Sequence, residues 1–333
     1  MEGAAGISDG SARPPSLTLP HKGVGDSSAQ CFNANRYLER DRQPVRSLRS
    51  LLALVAFFAF APSAFAAPLA IVAAENFYGD VAAQIGGAHV AVTSILANPD
   101  QDPHLFEASA ATAKALARAK IVVINGADYD PWMDKLLSAS KDSGRVEINV
   151  AELAGKKPGD NPHLWYDPAN VKALADKLAD AMGATDPANK DDYAQGAAAF
   201  AASLGPLEAR IAAMRAKYSG VPVTASEPVF GYMADRLGLV VRNQRFALAV
   251  MNNTEPGVSD IGAFENDLRD FKVGAMIYNS QASEPTVQRL AALARAQKIP
   301  VVGITETEPA GLTYQAWMLG ELAALDKALS PRQ

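Results

Sequence analysis

Residues 189–218 read NKDDYAQGAAAFAASLGPLEARIAAMRAKY, and this stretch decides the fold. Tyr193, Ala197, Phe200, Leu204, Leu207, Ile211 and Met214 recur at spacings of three, four and seven, which is the period of one long amphipathic helix. Gly205-Pro206 predicts a kink, because proline removes a helical hydrogen bond, without ending the helix. On either side the pattern changes to short β-rich runs. Before the helix they are Leu69–Ala73, Val90–Leu96, Ile121–Asn125 and Val146–Asn149; after it, Val221–Ala225, Leu239–Arg242, Val273–Tyr278 and Ile299–Ile304. Between them lie helical stretches such as Ser109–Ala119, Pro168–Met182, Ser259–Phe271 and Pro285–Gln297. Strands alternating with helices imply parallel sheets covered by helices, and unbroken apolar runs imply burial on both faces. The expected fold is α/β, with two lobes, each a parallel-sheet α/β sandwich, joined by one long rigid helix. The lobes are placed at 67–190 and 219–333, with the connector at 191–218.

The first 66 residues read differently. Residues 46–66, RSLRSLLALVAFFAFAPSAFA, combine a basic start, an apolar run from Leu51 to Ala61, and small residues at Ala64 and Ala66. That is the pattern of a secretory signal peptide cut after Ala66. Residues 1–45, rich in Gly, Ser, Pro and Arg without hydrophobic period, are expected to be an over-extended leader outside the fold. The single cysteine, Cys31, precedes the apolar run, whereas a lipobox cysteine must follow one. The expectation is therefore a soluble periplasmic protein that is not a lipoprotein.

One cysteine also excludes an internal disulfide framework and a Cys-rich zinc knuckle. A net charge of −5 argues against non-specific nucleic-acid binding, which needs a basic face. Hydrophobic residues at 49% and charged residues at 20% are a globular composition.

The chemistry is concentrated in an echo. Asp102-Pro103-His104-Leu105-Phe106 recurs as Asn161-Pro162-His163-Leu164-Trp165. In each copy a proline restricts the backbone before the histidine and an apolar residue anchors the loop after it. This arrangement suits an imidazole aimed in advance at a metal. His89, in Gly-Gly-Ala-His-Val, reads as a turn residue before a strand. Two imidazoles seldom hold a metal tightly, so carboxylates are needed. Ligands bind at the carboxyl ends of parallel strands, which points to Glu227 after Val221–Ala225, and to Glu306 or Glu308 after Ile299–Ile304. Asn279 and Gln281 occupy a third such loop as hydrogen-bond donors behind the ligands. Trp132, Trp165 and Trp317 read as packing residues, and Glu255, Asp260 and Asp267 as loop and solvated helix charges.

These landmarks resemble the helical-backbone metal receptors of bacterial ABC importers that bind zinc or manganese. The resemblance runs from about Pro68 to Leu329. It rests on Asp102-Pro103-His104, on Pro162-His163-Leu164-Trp165 with Asp167-Pro168, on Ser226-Glu227 with Phe230 and Tyr232, and on Thr305-Glu306 with Gly311 and Tyr314. It implies two α/β lobes joined by a rigid helix, and one divalent metal, Zn²⁺ or Mn²⁺, as transported ligand. It also implies a membrane permease as partner, a monomer, and no enzymatic activity. The metal ligands carried over are His104, His163, Glu227 and Glu306, with Glu308 competing for the fourth place. Zinc receptors of this kind usually carry His at position 227 and manganese-type receptors Glu. Asp is usual at 306, and a carboxylate is common where Asn279 stands. The alternative from the residues alone is an exported metallohydrolase using the same His/Glu set.

Overall fold

The computed structural model describes residues 67–98, 106, 109–282 and 284–331. The leader, the signal-peptide reading and His104 lie outside the described residues.

Among the described residues, eight parallel strands form two four-stranded sheets. The first holds β1 (Leu69–Glu75), β2 (Val90–Leu96), β3 (Ile121–Ile124) and β4 (Val146–Asn149) in the order β2-β1-β3-β4. The second holds β5 (Pro222–Ala225), β6 (Val240–Arg242), β7 (Met276–Asn279) and β8 (Val301–Ile304) in the order β6-β5-β7-β8. All eight expected strands are present, most of the later ones shorter than the apolar runs that announced them. Composition tracks position. Central β3, Ile121-Val122-Val123-Ile124, is buried throughout, while β6 at an edge leaves Val240 49% exposed. A central parallel strand has helices on both faces; an edge strand does not.

Chain order repeats between the lobes. α1 (Asn76–Gly86), α2 (Ala110–Leu116) and α3 (Pro131–Ala139) link the first sheet; α8 (Gly231–Leu237), α9 (Gln244–Met251) with α10 (Val258–Arg269), and α11 (Pro285–Ala296) link the second. In each sheet the order reverses between the first and third strands in sequence, opening a crevice at their carboxyl ends. α4 (Val150–Leu153) and α5 (Pro168–Thr185) follow the first sheet, and α12 (Tyr314–Leu329) closes the second.

The long helix links the lobes as α6 (Lys190–Ser203) and α7 (Gly205–Tyr218), separated only by Leu204. Leu204 keeps right-handed helical angles (φ −75°, ψ −13°), and Glu208 still donates to its carbonyl at 2.9 Å. The interruption is the missing N–H of Pro206, as the sequence requires. Every residue of the predicted stripe, from Tyr193 to Met214, is buried. At the far end the Tyr218 hydroxyl and the Arg210 guanidinium both reach Asp326 of α12.

One apolar core runs through both lobes and the connector. Phe77, Trp165, Tyr166, Phe230 and Trp317 meet at its centre, with ring centroids 4.4 to 5.9 Å apart. Trp132, Trp165 and Trp317 are thus packing residues, exposed by 7% or less. α6 approaches α1 closely at Gly196, where a Cβ would stand 2.2 Å from the carbonyl oxygen of Ile85. Backbone cannot yield as a side-chain tip can. Gly196→Ala is expected to cost about 1–3 kcal/mol, a fall in Tm of roughly 2–10 °C by thermal denaturation. An unchanged Tm would show that the two helices separate freely.

One charge reading is corrected. Asp267 is not a solvated helix charge. It is 4% exposed and receives two hydrogen bonds from Arg242 (2.6 and 2.9 Å) and one from Asn243 (3.0 Å). The pairing joins α10 to the end of β6, and a buried carboxylate requires such partners. His89 does lie in a turn before β2, paired with Asp192 at 3.0 Å.

Candidate metal centre

Glu227, Asn279 and Glu306 are carried at the carboxyl ends of strands of the second sheet. After β5 the chain stays extended and delivers Glu227 (φ −146°, ψ 162°). β7 ends on Asn279, whose backbone N–H donates to Ser226 Oγ at 3.0 Å and locks this loop to the preceding one. Glu306 follows β8 by two residues, and its backbone N–H donates to Gln281 Oε1 at 2.6 Å. His163 comes from the loop after α4. Asn125, just beyond β3, donates from Nδ2 to the Pro162 carbonyl at 2.9 Å and so holds that loop from beneath.

These loops bring three of the expected ligands into one buried neighbourhood. His163 is 0%, Glu306 3% and Glu227 8% exposed. His163 Nε2 stands 3.6 Å from Glu306 Oε2. The Asn279 amide donates one hydrogen to Glu227 Oε1 (3.0 Å) and the other to Glu306 Oε1 (2.6 Å). A neutral donor thus spaces two carboxylates where a third would repel both. Among the described residues, no three His, Cys, Asp or Glu side chains cluster closely enough to hold a metal ion. Glu227 is one amide away from the His163–Glu306 contact. His163 Nε2 is buried without a hydrogen-bond partner.

Tyr129 was not anticipated. Its hydroxyl, from the first lobe, donates to Glu306 Oε2 at 3.1 Å in the second. Burial, reinforced by the Glu306 charge, pushes the phenol well above its ordinary pKa, so it remains a donor. The loop that presents it is strained: Gly126, Ala127 and Asp128 all have positive φ (74°, 50° and 64°). Asp130 holds that turn by accepting from the backbone N–H groups of Asn125 and Gly126, each at 2.8 Å. Strain of this kind persists only where surroundings over-determine it. The signal available in the sequence was its place, directly after a central strand.

Glu306 and Glu308 part company. Glu308 exchanges backbone hydrogen bonds with the Asn76 side chain at the start of α1 (3.1 and 2.6 Å), forming a tie between lobes. Burial, then the nearby Asp80 charge, lifts its carboxyl to about 8.

Glu321 of α12 supports the Glu306 loop from behind. Its Oε1 accepts from the Thr305 backbone N–H (3.1 Å) and from Trp317 Nε1 (2.9 Å). Burial nevertheless raises its carboxyl to about 7. The unfolded carboxyl titrates near pH 4.3, so the folded chain holds this proton more tightly. That contribution is fully present below about pH 4 and is lost as pH rises through about 7. Glu321→Gln keeps the acceptor and removes the ionisation. It is expected to raise Tm more at pH 8 than at pH 5, by an amount corresponding to about 2 kcal/mol. A gain independent of pH would show that the buried acid does not titrate in this range.

Comparisons with known proteins agree with this architecture. The family model described as "ZnuA: Zinc-uptake complex component A periplasmic" matches residues 71–328. The metal ABC transporter substrate-binding lipoprotein SloC of Streptococcus mutans is 25% identical over 283 residues, 79% of this chain and 90% of the relative. The manganese-binding lipoprotein MntA of Bacillus subtilis is 26% identical over 231 residues, 66% and 73% of the two chains. Among solved structures, the periplasmic zinc-binding protein TroA of Treponema pallidum superposes with TM-score 0.67 at 18% identity, covering 80% of this chain and all of that one. The TroA likeness establishes the shared two-lobe fold. These relatives also correct one expectation. SloC and MntA are named lipoproteins, so the inference of a protein that is not a lipoprotein is overturned. The position of Cys31 bears only on one anchoring signal in this sequence and is no guide to how members of the group are held.

Proposed function

The chain belongs to the ZnuA family of zinc-uptake complex components, and on that premise we propose that it captures a divalent transition metal between its lobes and delivers it to the permease of an ABC importer. Relatives named for substrate binding in metal ABC transport and for manganese binding support the reading. The observation that carries it is His163 Nε2, a wholly buried nitrogen without a hydrogen-bond partner, 3.6 Å from a carboxylate oxygen. A buried lone pair beside a carboxylate is costly unless a cation joins them.

In this reading His104, His163, Glu227 and Glu306 are the ligands. Two neutral imidazoles and two carboxylates carry a net charge of −2, which neutralises a divalent ion. Asn279 and Tyr129 donate to the carboxylates, while Gln281, expected as a donor, instead accepts from the Glu306 backbone N–H and fixes that residue's main chain. Glu308 ties the lobes through its backbone, which exchanges hydrogen bonds with the Asn76 side chain, and Glu306 is taken as the ligand because its Oε2 stands 3.6 Å from His163 Nε2. Nitrogen and oxygen donors suit Zn²⁺ and Mn²⁺, and Zn²⁺ binds more tightly when both are free. Closure is a small hinge or loop ordering, because the connector and the shared aromatic core limit wider movement. Family members are substrate-binding transport proteins, and the metallohydrolase alternative has no observation in its favour.

The test is metal uptake by chelator-stripped protein. One Zn²⁺ or Mn²⁺ per chain is expected, with a metal-dependent rise in Tm. Failure to take up either metal would remove the proposal.

A further inference from the structure

Asn161 stands where two loops from opposite lobes meet. Its Oδ1 accepts from the His163 backbone N–H at 3.2 Å and lies 2.6 Å from His163 Nδ1. Its Nδ2 donates to the carbonyl of Pro228, the residue after Glu227, at 2.8 Å. Its own carbonyl accepts from the Tyr232 hydroxyl at 2.7 Å.

Two of these partners have fixed polarity. A backbone N–H can only donate, and a proline carbonyl can only accept. Together they determine which end of the amide is oxygen, because the reversed amide would face donor to donor and acceptor to acceptor. With Oδ1 so placed, the ring nitrogen beside it must carry the hydrogen. A neutral imidazole protonated on Nδ1 keeps its lone pair on Nε2. That is the buried nitrogen without a hydrogen-bond partner, 3.6 Å from Glu306 Oε2.

The residue type at 161 is thereby specified. An aspartate could accept from the ring but has no hydrogen to give Pro228. The first copy of the motif carries aspartate at the same place, Asp102. Gly231 accommodates the contact, since a Cβ there would lie 2.8 Å from Asn161 Nδ2. Asn161, Glu227 and Pro228 also line a common cavity of about 320 Å³.

We propose that Asn161 is a positioning residue with two tasks: it selects the His163 tautomer that can take a metal, and it latches the His163 loop to the Glu227 loop across the lobes. The proposal rests on the metal-capture reading above. Orienting partners behind a metal ligand typically contribute 10–100-fold in affinity. A cross-lobe latch acts on rates, since both entry and exit of metal require it to open.

The experiment compares the wild type with Asn161→Asp and Asn161→Ala, using Zn²⁺ alone as probe. Ring ¹⁵N shifts of metal-free wild type are expected to show His163 protonated on Nδ1 and bare on Nε2. Asn161→Asp is expected to keep that tautomer and to release Zn²⁺ to a chelator about tenfold faster, with a smaller change in Kd. Asn161→Ala, losing both tasks, is expected to weaken Kd by about 10–100-fold. Three results overturn the proposal: an Nε2-protonated His163 in the wild type, an Asn161→Ala variant matching wild type in Kd and release rate, or two variants indistinguishable from each other. Should Asn161→Ala fail to fold, the wild-type spectrum and Asn161→Asp still decide. Wild type that binds no Zn²⁺ would instead refute metal capture, while the tautomer measurement stands apart from it.

Discussion

His163→Ala is expected to abolish most of the metal-linked rise in Tm. At a free metal concentration 100 times Kd, binding to the folded state alone adds about 2.7 kcal/mol. For a chain of this size that corresponds to roughly 5–11 °C. His163 supplies the buried Nε2 beside Glu306, and alanine leaves no donor in its place. If Kd rises 100-fold, the same metal concentration adds only about 0.4 kcal/mol, a shift of 1–2 °C by the same scaling. The quantity to measure is the difference between stripped and metal-loaded Tm, because removing a wholly buried ring also lowers the metal-free Tm. His104→Ala is expected to behave in the same way. A full metal-linked shift in both variants would refute the ligand set.

Trp165→Ala is expected to produce the largest loss of stability. The ring is 0% exposed, stacks on Phe77 at 4.4 Å, and packs against Tyr129 at 5.0 Å and His163 at 5.3 Å. Its backbone carbonyl accepts from the Tyr314 hydroxyl of the other lobe at 2.7 Å. Truncating a buried tryptophan costs about 3–5 kcal/mol, a fall in Tm on the order of 10 °C. The same change removes the wall against which the Tyr129 and His163 rings rest, so the metal-linked shift should shrink as well. Phe264→Ala is the control. Phe264 packs against Phe246 at 4.8 Å in a core separate from the one that holds Trp165. It should lower Tm while leaving the metal-linked shift intact. A normal shift in Trp165→Ala would show that the lobe core and the site are energetically independent.

The elements were legible because each writes a local period. Tyr193 to Met214 repeat at helical spacing, and all of them are buried. Ile121–Ile124 is continuously apolar because both of its faces are covered. The buried positions of Glu227 and Glu306 just past β5 and β8 were legible for a different reason: the loops at the carboxyl ends of parallel strands can be read from where the apolar runs stop. Tyr129 and Asn161 were not. Tyr129 meets a residue 177 positions away and Asn161 one 67 positions away. No periodicity records such a pairing. Asp267 was misread on the same ground, since its partner Arg242 lies 25 residues earlier on another element.

Local pattern alone determined that this chain would form two parallel sheets on either side of a long helix interrupted near Pro206, with glutamate loops at strand ends of the second sheet. Hydrophobic spacing and proline stereochemistry act between neighbours in the chain, so they can be read without coordinates. Tertiary structure alone decided that Glu306 and not Glu308 stands beside His163, that Asn279 bridges the two carboxylates, and that Asn161 ties one ligand loop to the next. Those choices depend on distances of about 3 Å between residues remote in sequence, and such distances exist only once the lobes have packed against each other.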